Sequence, residues 1–261
     1  MKIFDCFIYN DEDLILELRF NILDKFVDKF VVVEAKFDHQ NNPKKTNFKV
    51  EKFEKFRKKI KYVVLDIFPE NLSNWGRENY QRNFISQGLE DANDEDYIII
   101  SDADEIPNLE EMLTKKLGKY TAFKQKLFYY KINLLNKTEP FWYGSKICKK
   151  KYLKSPQWLR DQKVKNYSFW KFYKIKWNIV ENGGWHFSFL KTPEEIQKKI
   201  KQYAHAEFNM EKYTDLERIK NSIKNKIDLF DRHLNFQRIE INNNFPRFIV
   251  ENKELYKDWI I

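Results

Sequence analysis

Apolar positions in the first hundred residues alternate between continuous β-branched runs and stripes at helical spacing. Lys2 to Tyr9 reads as a buried strand, and Asn10-Asp11-Glu12-Asp13 as a turn rich in helix N-caps. Ile15, Leu18, Ile22 and Phe26 then recur as one helical face. Phe30-Val31-Val32-Val33-Glu34-Ala35 follows as a strand covered on both sides, which completes a strand, helix, strand unit. Beyond a loop from Asp38 to Lys49, the pattern predicts a helix over Phe53 to Lys59 and a third strand over Tyr62 to Leu65. A helix over Glu78 to Leu89 and a fourth strand over Tyr97 to Ile100 come next. Such alternation predicts an α/β fold, a Rossmann-like and mostly parallel sheet flanked by helices, with ligands at the carboxyl ends of the strands.

After the fourth strand, Pro107-Asn108 with Glu111 marks a capped helix start and Gly118 its stop. Phe123 to Trp177 is aromatic, strand-like and irregular. Two more helices open with capping boxes at Thr192-Pro193-Glu194-Glu195 and Thr214-Asp215-Leu216-Glu217. Leu216, Ile219, Ile223, Ile227 and Phe230 form one face of the second. With 261 residues, 42% of them hydrophobic, the chain is expected to form one domain over 1–261. Its nucleotide-binding half spans about 1–118, and its acceptor half with the C-terminal helices about 119–261.

Composition narrows the chemistry. The formal charge of +9 is spread over many lysines, with concentrations at Arg57-Lys58-Lys59 and Lys149-Lys150-Lys151. It suits phosphorylated donors, anionic lipid surfaces or nucleic acid, and equally a plain solvated face. Cys6 and Cys148 are too few for a disulfide framework or a cysteine-ligated zinc. The first residues lack a signal-peptide core, and no stretch approaches the roughly twenty apolar residues that span a bilayer. A cytoplasmic location is expected, with any membrane contact peripheral, at the inner face.

The central feature is the hydrophobic strand ending in Ser101-Asp102-Ala103-Asp104-Glu105. Acids at the end of a buried strand are costly unless something positive sits there, and a divalent cation with substrate phosphate is the usual occupant. A diphosphate leaving group needs its charge neutralised as the glycosidic bond breaks, which a hard metal supplies. Asp104 is expected as a direct ligand and Asp102 as a ligand or ribose contact. The competing reading is that these acids only cap the helix near Asn108. His186, after Gly183-Gly184-Trp185, suits a third metal position or a diphosphate contact.

Gly76-Arg77-Glu78-Asn79-Tyr80-Gln81-Arg82-Asn83, Gly88-Leu89 and Tyr97 through Asp104 resemble the Gly, Arg-Asn, Asp-x-Asp arrangement of transferases with the GT-A fold. More narrowly, Arg77-Glu78, Gln81-Arg82, Ser101 through Pro107, Gly183 through Ser188 and Thr192-Pro193-Glu194 are similar to glycosyltransferase family 17. The likeness runs from the Val-Val-Glu-Ala strand to Asn244-Phe245-Pro246-Arg247-Phe248-Ile249. It implies a GT-A fold, a UDP-sugar donor with a GlcNAc-like hexosamine favoured, Mn²⁺ or Mg²⁺, and inversion at the anomeric carbon. No counterpart of the vertebrate members' N-terminal anchor and stem is expected. A surface polysaccharide or other glycan, a lipid-linked glycan or a protein is therefore expected as acceptor.

Donor contacts are assigned to Asn10, Glu34, Arg77, Gln81, Arg82 and Asp102, with Asp11 beside Asn10 on the uracil side. Arg77 and Arg82 lie five apart, so one is expected at the diphosphate and the other on Asp102 or Glu105. An inverting transfer also needs a carboxylate to take the acceptor hydroxyl's proton. Glu181, five residues before His186, is the first choice and Asp161 the second. Acceptor contacts are expected from Trp142 and Trp158, with Tyr143, Trp170 and Trp177 as further surfaces, and from Trp185 by stacking or core packing.

Two other classes compete. A phosphatase of the haloacid dehalogenase kind also ends a buried strand in Asp-x-Asp, but places it near the chain start with Thr or Val following; here four strands run up to it and Ile106 stands two past Asp104. A basic nucleic-acid binder would cluster Lys, Arg and exposed aromatics on one surface, and no nucleic-acid partner is expected.

Overall fold

The computed structural model describes residues 1–165, 175–204 and 206–261. In chain order the strands are β1 (Ile3–Tyr9), β2 (Lys29–Ala35), β3 (Ile60–Leu65), β4 (Tyr97–Ile100), β5 (Glu105–Pro107), β6 (Tyr120–Tyr129), β7 (Leu134–Asn136), β8 (Phe141–Trp142), β9 (Lys146–Lys149), β10 (Trp177–Ser188) and β11 (Phe236–Arg238). The α-helices are α1 (Asp13–Leu23), α2 (Asn74–Asn83), α3 (Leu109–Leu113), α4 (Pro156–Asp161), α5 (Pro193–Gln202), α6 (Glu211–Thr214), α7 (Leu216–Asn225) and α8 (Arg247–Glu251).

All eleven strands join one sheet, whose main path runs β11-β7-β6-β9-β4-β1-β2-β3. The α/β class is the expected one. Parallel pairing holds across β4-β1-β2-β3 and recurs between β6 and β10. The aromatic middle of the chain extends the sheet with antiparallel strands: β9 pairs with β4, and β6 with β7, β8 and β9. β10 is antiparallel to β5 on its other side.

Both faces of β1, β2 and β4 are dry, as their continuous apolar runs require, while the edge strand β3 is half-buried up to Leu65. Ile99 packs with Phe7, Phe20, Phe30 and Val32 under α1, while Ile98 and Ile100 pack with Phe4, Cys6, Val31 and Val33 on the opposite face. Burying each such isoleucine contributes about 1.5–3 kcal/mol, so the end of β4 is a rigid edge from which to hang a site. A third cluster, Tyr129, Phe189, Ile196, Ile219 and Phe230, seats α5 and α7.

Local signals set several boundaries differently. The helix expected over Glu78–Leu89 starts earlier, at Asn74, because the Ser73 hydroxyl accepts from the Gly76 amide; it tightens to a 3-10 turn over Phe84–Gly88. The helix after Asn108 ends at Leu113, short of Gly118. In α7, Asp215 rather than Thr214 is the cap, accepting from the Arg218 amide at 2.7 Å, and the helix stops before Ile227, which is exposed. Among the described residues no helix is long and apolar enough to cross a membrane.

Candidate functional site

Where β4 runs out at Ile100, the chain turns through Ser101-Asp102-Ala103-Asp104 into β5, and this turn is held from beneath by one buried guanidinium. Arg19 of α1 is fully buried. Its Nε and Nη2 donate to Asp5 at 2.7 and 2.5 Å, and Nη2 donates to the Ser101 hydroxyl at 2.6 Å. Nη1 donates to the carbonyls of Asp102, Ala103 and Glu105 at 3.0, 3.1 and 2.8 Å. A buried charge is tolerated only when paired and hydrogen-bonded. Here the bonds that satisfy it also clamp the backbone of the acidic turn.

Glu105, at the start of β5, is a second clamp. Buried, it accepts from Trp142 Nε1 at 2.6 Å, from Arg160 at 2.9 and 3.1 Å, and from the backbone amide of Asp102 at 2.8 Å. A Cβ on Gly144 would lie 2.0 Å from the Glu105 carboxylate, so this packing needs glycine there.

Asp102 lies between two guanidiniums, with Oδ1 3.0 Å from Arg82 and Oδ2 2.6 Å from Arg160. Burial pushes its carboxyl up, but Arg160 and Arg82 outweigh that and hold it at about 2. Arg82 is itself fixed by Glu78 at 2.7 Å and Gln157 at 2.6 Å. Asp104 is held less tightly: Oδ1 is 3.5 Å from His186 Nε2 and Oδ2 is 3.5 Å from Lys199 Nζ. Against the upward push of burial, Lys199 and His186 keep it well below the usual carboxylate range. Burial lowers the His186 imidazole, yet Asp104 outweighs it and raises it. His186 Nδ1 is buried without a hydrogen-bond partner.

These groups line one cleft of about 980 Å³. It brings together Asn10, Gln81, Arg82, Asp102, Asp104, Trp142, Tyr143, Asp161 and His186 from the sequence-based assignments. Asn10 donates to Gln202 at 3.2 Å, and Gln81 bonds His39 at 2.8 Å and the Val33 carbonyl at 3.1 Å. Asp11 is paired with Lys191 at 2.6 Å and Lys198 at 3.1 Å. Trp142 is 43% exposed, its indole N–H tied to Glu105 and its ring 5.8 Å from that of His186.

Other assigned residues lie elsewhere. Glu34 is fully buried, accepting from Lys44 at 2.8 Å, the amides of Asn47 and Phe48 at 2.7 and 3.0 Å, and Tyr62 at 2.8 Å, so it anchors the loop after β2. Arg77 donates to the carbonyls of His39 and Leu72 and to Asn74, which ties the α2 start to the same loop. Trp185 is buried and donates to the Asn244 carbonyl at 3.0 Å. Trp158 packs on Tyr120 with ring centroids 5.7 Å apart, and Trp177 packs on the same tyrosine. Trp170 lies outside the described residues.

The structure does not bring Glu181 to the cleft. Its side chain is 72% exposed and meets Lys124 at 2.8 Å. The cause is an irregularity in β10, whose register with β6 shifts between Val180 and Gly184. Gly184 has φ +124°, and a Cβ there would lie 2.2 Å from the Ile106 carbonyl. The bulge swings Glu181 to solvent, while the strand resumes in time to aim His186 at Asp104. Of the two carboxylates proposed as base, Asp161 lines the cleft, at the end of α4, accepting from Gln157 at 2.7 Å.

Sequence reasoning passed over Arg19, Arg160 and Lys199. A signal for the first existed: Asp5 interrupts an apolar strand, and Arg19 falls four residues after Ile15 on the apolar face of α1. Arg160 stood beside Asp161 unremarked, and Lys199 was one lysine among many.

The family model of glycosyltransferase family 17 matches residues 1–256. The β-1,4-mannosyl-glycoprotein 4-β-N-acetylglucosaminyltransferase of Rattus norvegicus is 27% identical over 232 residues, which is 76% of this chain and 42% of the rat protein. That of Homo sapiens is 26% identical over 235 residues, again 76% of this chain and 42% of the relative. The chain thus spans less than half the length of the relatives it matches.

Proposed function

The chain belongs to glycosyltransferase family 17, and from that premise we propose that it is a metal-dependent inverting glycosyltransferase with a UDP-sugar donor. The sugar favoured is a GlcNAc-like hexosamine, moved to a hydroxyl of a glycan, a lipid-linked glycan or a protein. The activity for which the rat and human relatives are named, N-acetylglucosaminyl transfer, supports the choice of sugar. The observation that carries the reading is the turn after β4, which presents Asp102 and Asp104 to a cleft large enough for a nucleotide sugar, with His186 at 3.5 Å from Asp104.

The residues present fit a divalent cation. Among the described residues no three His, Cys, Asp or Glu side chains are gathered as a complete ligand set. Mg²⁺-like ions nevertheless need only one or two protein ligands beside substrate phosphates and water. Asp104 and His186, 3.5 Å apart, would supply that pair. The unpartnered Nδ1 belongs to a ring whose Nε2 faces Asp104. Asp102, committed to Arg82 and Arg160, is better placed to orient the donor than to ligate. When bound, a divalent cation there neutralises charge on the donor diphosphate.

In the reaction the acceptor oxygen attacks the anomeric carbon from the face opposite the diphosphate. Asp161 takes the hydroxyl proton, and the electron pair of the breaking C–O bond passes to the β-phosphate oxygen. Trp142, half-exposed and oriented by Glu105, offers the acceptor an apolar ring face. Any membrane contact is peripheral in this reading.

A thermal-shift panel of UDP, GDP, CMP and dTDP sugars with and without Mn²⁺ tests the assignment. Stabilisation by UDP sugars that requires metal is the expected result. Equal shifts with every base, or none, overturn it.

A further inference from the structure

Resting on that donor reading, we infer that Lys199 is the cationic contact for the leaving β-phosphate. Of the lysines and arginines that line the cleft, Lys163 is exposed on the loop after α4, and the others apart from Lys199 are already committed. Arg82 and Arg160 are bonded to Asp102 at 3.0 and 2.6 Å, and Arg160 also to Glu105 at 2.9 Å. Lys44 sits on Glu34 at 2.8 Å, Lys146 is enclosed by the carbonyls of Arg160 and Gln162, and Arg232 is paired with Asp228 at 2.7 Å. Lys199 alone among these meets its carboxylate, Asp104, at as much as 3.5 Å. A tight charge-assisted bond closes to about 2.7–2.9 Å, so the ammonium is near the acid without being saturated by it.

Its placement is built in. The capping box of Thr192 and Glu195 fixes the start of α5, and Ile196 and Ile200 bury the other side of the helix in the core. The lysine stem passes over the Phe189 ring, with Nζ 5.5 Å from the centroid. This leaves the ammonium at the cleft wall beside Asp104. A donor whose diphosphate reaches Asp104 and His186 must bring a phosphate oxygen within range of it.

The chemistry calls for a cation at this point. Cleaving the anomeric C–O bond leaves its electron pair on the β-phosphate oxygen, so the diphosphate gains one negative charge as the sugar passes to the acceptor. A fixed positive group that meets this charge lowers the barrier. The acceptor proton goes to Asp161, and Lys199 keeps its own proton throughout.

Titration of Lys199→Met, Lys199→Arg and wild type with UDP and with UMP, in Mn²⁺ buffer by calorimetry, is the test. Lys199→Met is expected to weaken UDP binding about tenfold or more while changing UMP binding less than about twofold, and Lys199→Arg to recover part of the UDP affinity. A helix merely disturbed by the substitution would weaken both nucleotides together, which would overturn the inference, as would unchanged UDP binding in Lys199→Met. A wild-type chain that ignores UDP altogether would instead overturn the donor reading, and this assignment with it.

Discussion

Asp102 and Asp104 stand two residues apart, each between two cations but at different range, which separates what their loss should do. Asp102 balances two guanidiniums that are themselves largely buried, Arg82 and Arg160. Asp102→Asn removes one acid from each, while Arg82 keeps Glu78 and Arg160 keeps Glu105; with the Asp102 side chain also 32% exposed, the several kcal/mol of a fully buried pair shrink to about 1–2 kcal/mol. Asp104 is bonded more loosely, with its cations 3.5 Å away, but at 14% side-chain exposure it is the more buried of the two, and its loss takes the acid from both Lys199 and His186. Asp104→Asn should lower the chemical denaturation midpoint by a comparable amount and abolish Mn²⁺-dependent UDP binding, which Asp102→Asn should only weaken; an intact metal response in Asp104→Asn would reverse these assignments. The base is separable in the same way. Asp161→Asn should lose about 10²–10⁴ in turnover with unchanged UDP affinity, and Glu181→Gln, out on the bulge with Lys124, should stay within about twofold. The opposite pattern in a steady-state assay would place the base on β10. Arg19→Lys keeps a charge near Asp5 but cannot reach three carbonyls at once, so it should lower kcat through a loosened turn while the donor KM changes little.

Elements carry these residues, and their legibility in the sequence follows from how local their causes are. β1, α1, β2, β3 and β4 were readable because a periodic stripe or an unbroken β-branched run states which faces are buried. The α5 cap was readable as a four-residue string, and both halves of the box form. The acidic turn was readable because its residues are contiguous and follow a buried strand. What escaped depends on contacts far along the chain: Arg160 reaches Asp102 from 58 residues away, and Lys199 reaches Asp104 from 95. Glu181 was misjudged because distance along a strand was taken as distance in space, and a bulge intervenes. The cap offers a test at this scale. Thr192→Ala should cost about 1 kcal/mol of stability by denaturant titration, and, because α5 holds Lys199, it should weaken UDP binding slightly. A loss of stability with α5 intact but no effect on UDP would show that the frayed first turn is uncoupled from Lys199.

Over the whole molecule, the two thiols report on the sheet that supports the cleft. Cys6 on β1 and Cys148 on β9 flank β4, opposite Ile100 and Ile98, and both are buried in one cluster. Burial pushes the Cys148 thiol up to about 12, and raises that of Cys6 well above the ordinary value. Thiolate, the reactive form, is therefore scarce in the folded chain at pH 8. Because the folded values lie above the unfolded one of about 8.5, raising the pH past that point favours the unfolded chain. Labelling by a soluble disulfide reagent at pH 8 should accordingly wait for the sheet to open, with both cysteines reacting together and at a rate that tracks the denaturant curve. The cleft hangs from the end of β4, so a ligand that binds only the closed sheet must slow that opening by mass action. UDP with Mn²⁺ at a hundred times its dissociation constant stabilises by about 2.7 kcal/mol and should slow labelling about a hundredfold, whereas UDP in EDTA should do much less. Thiols that react quickly in native buffer, regardless of nucleotide, would mean that β4 and β9 separate without unfolding, and that the acidic turn is not the rigid support on which the proposed reaction depends.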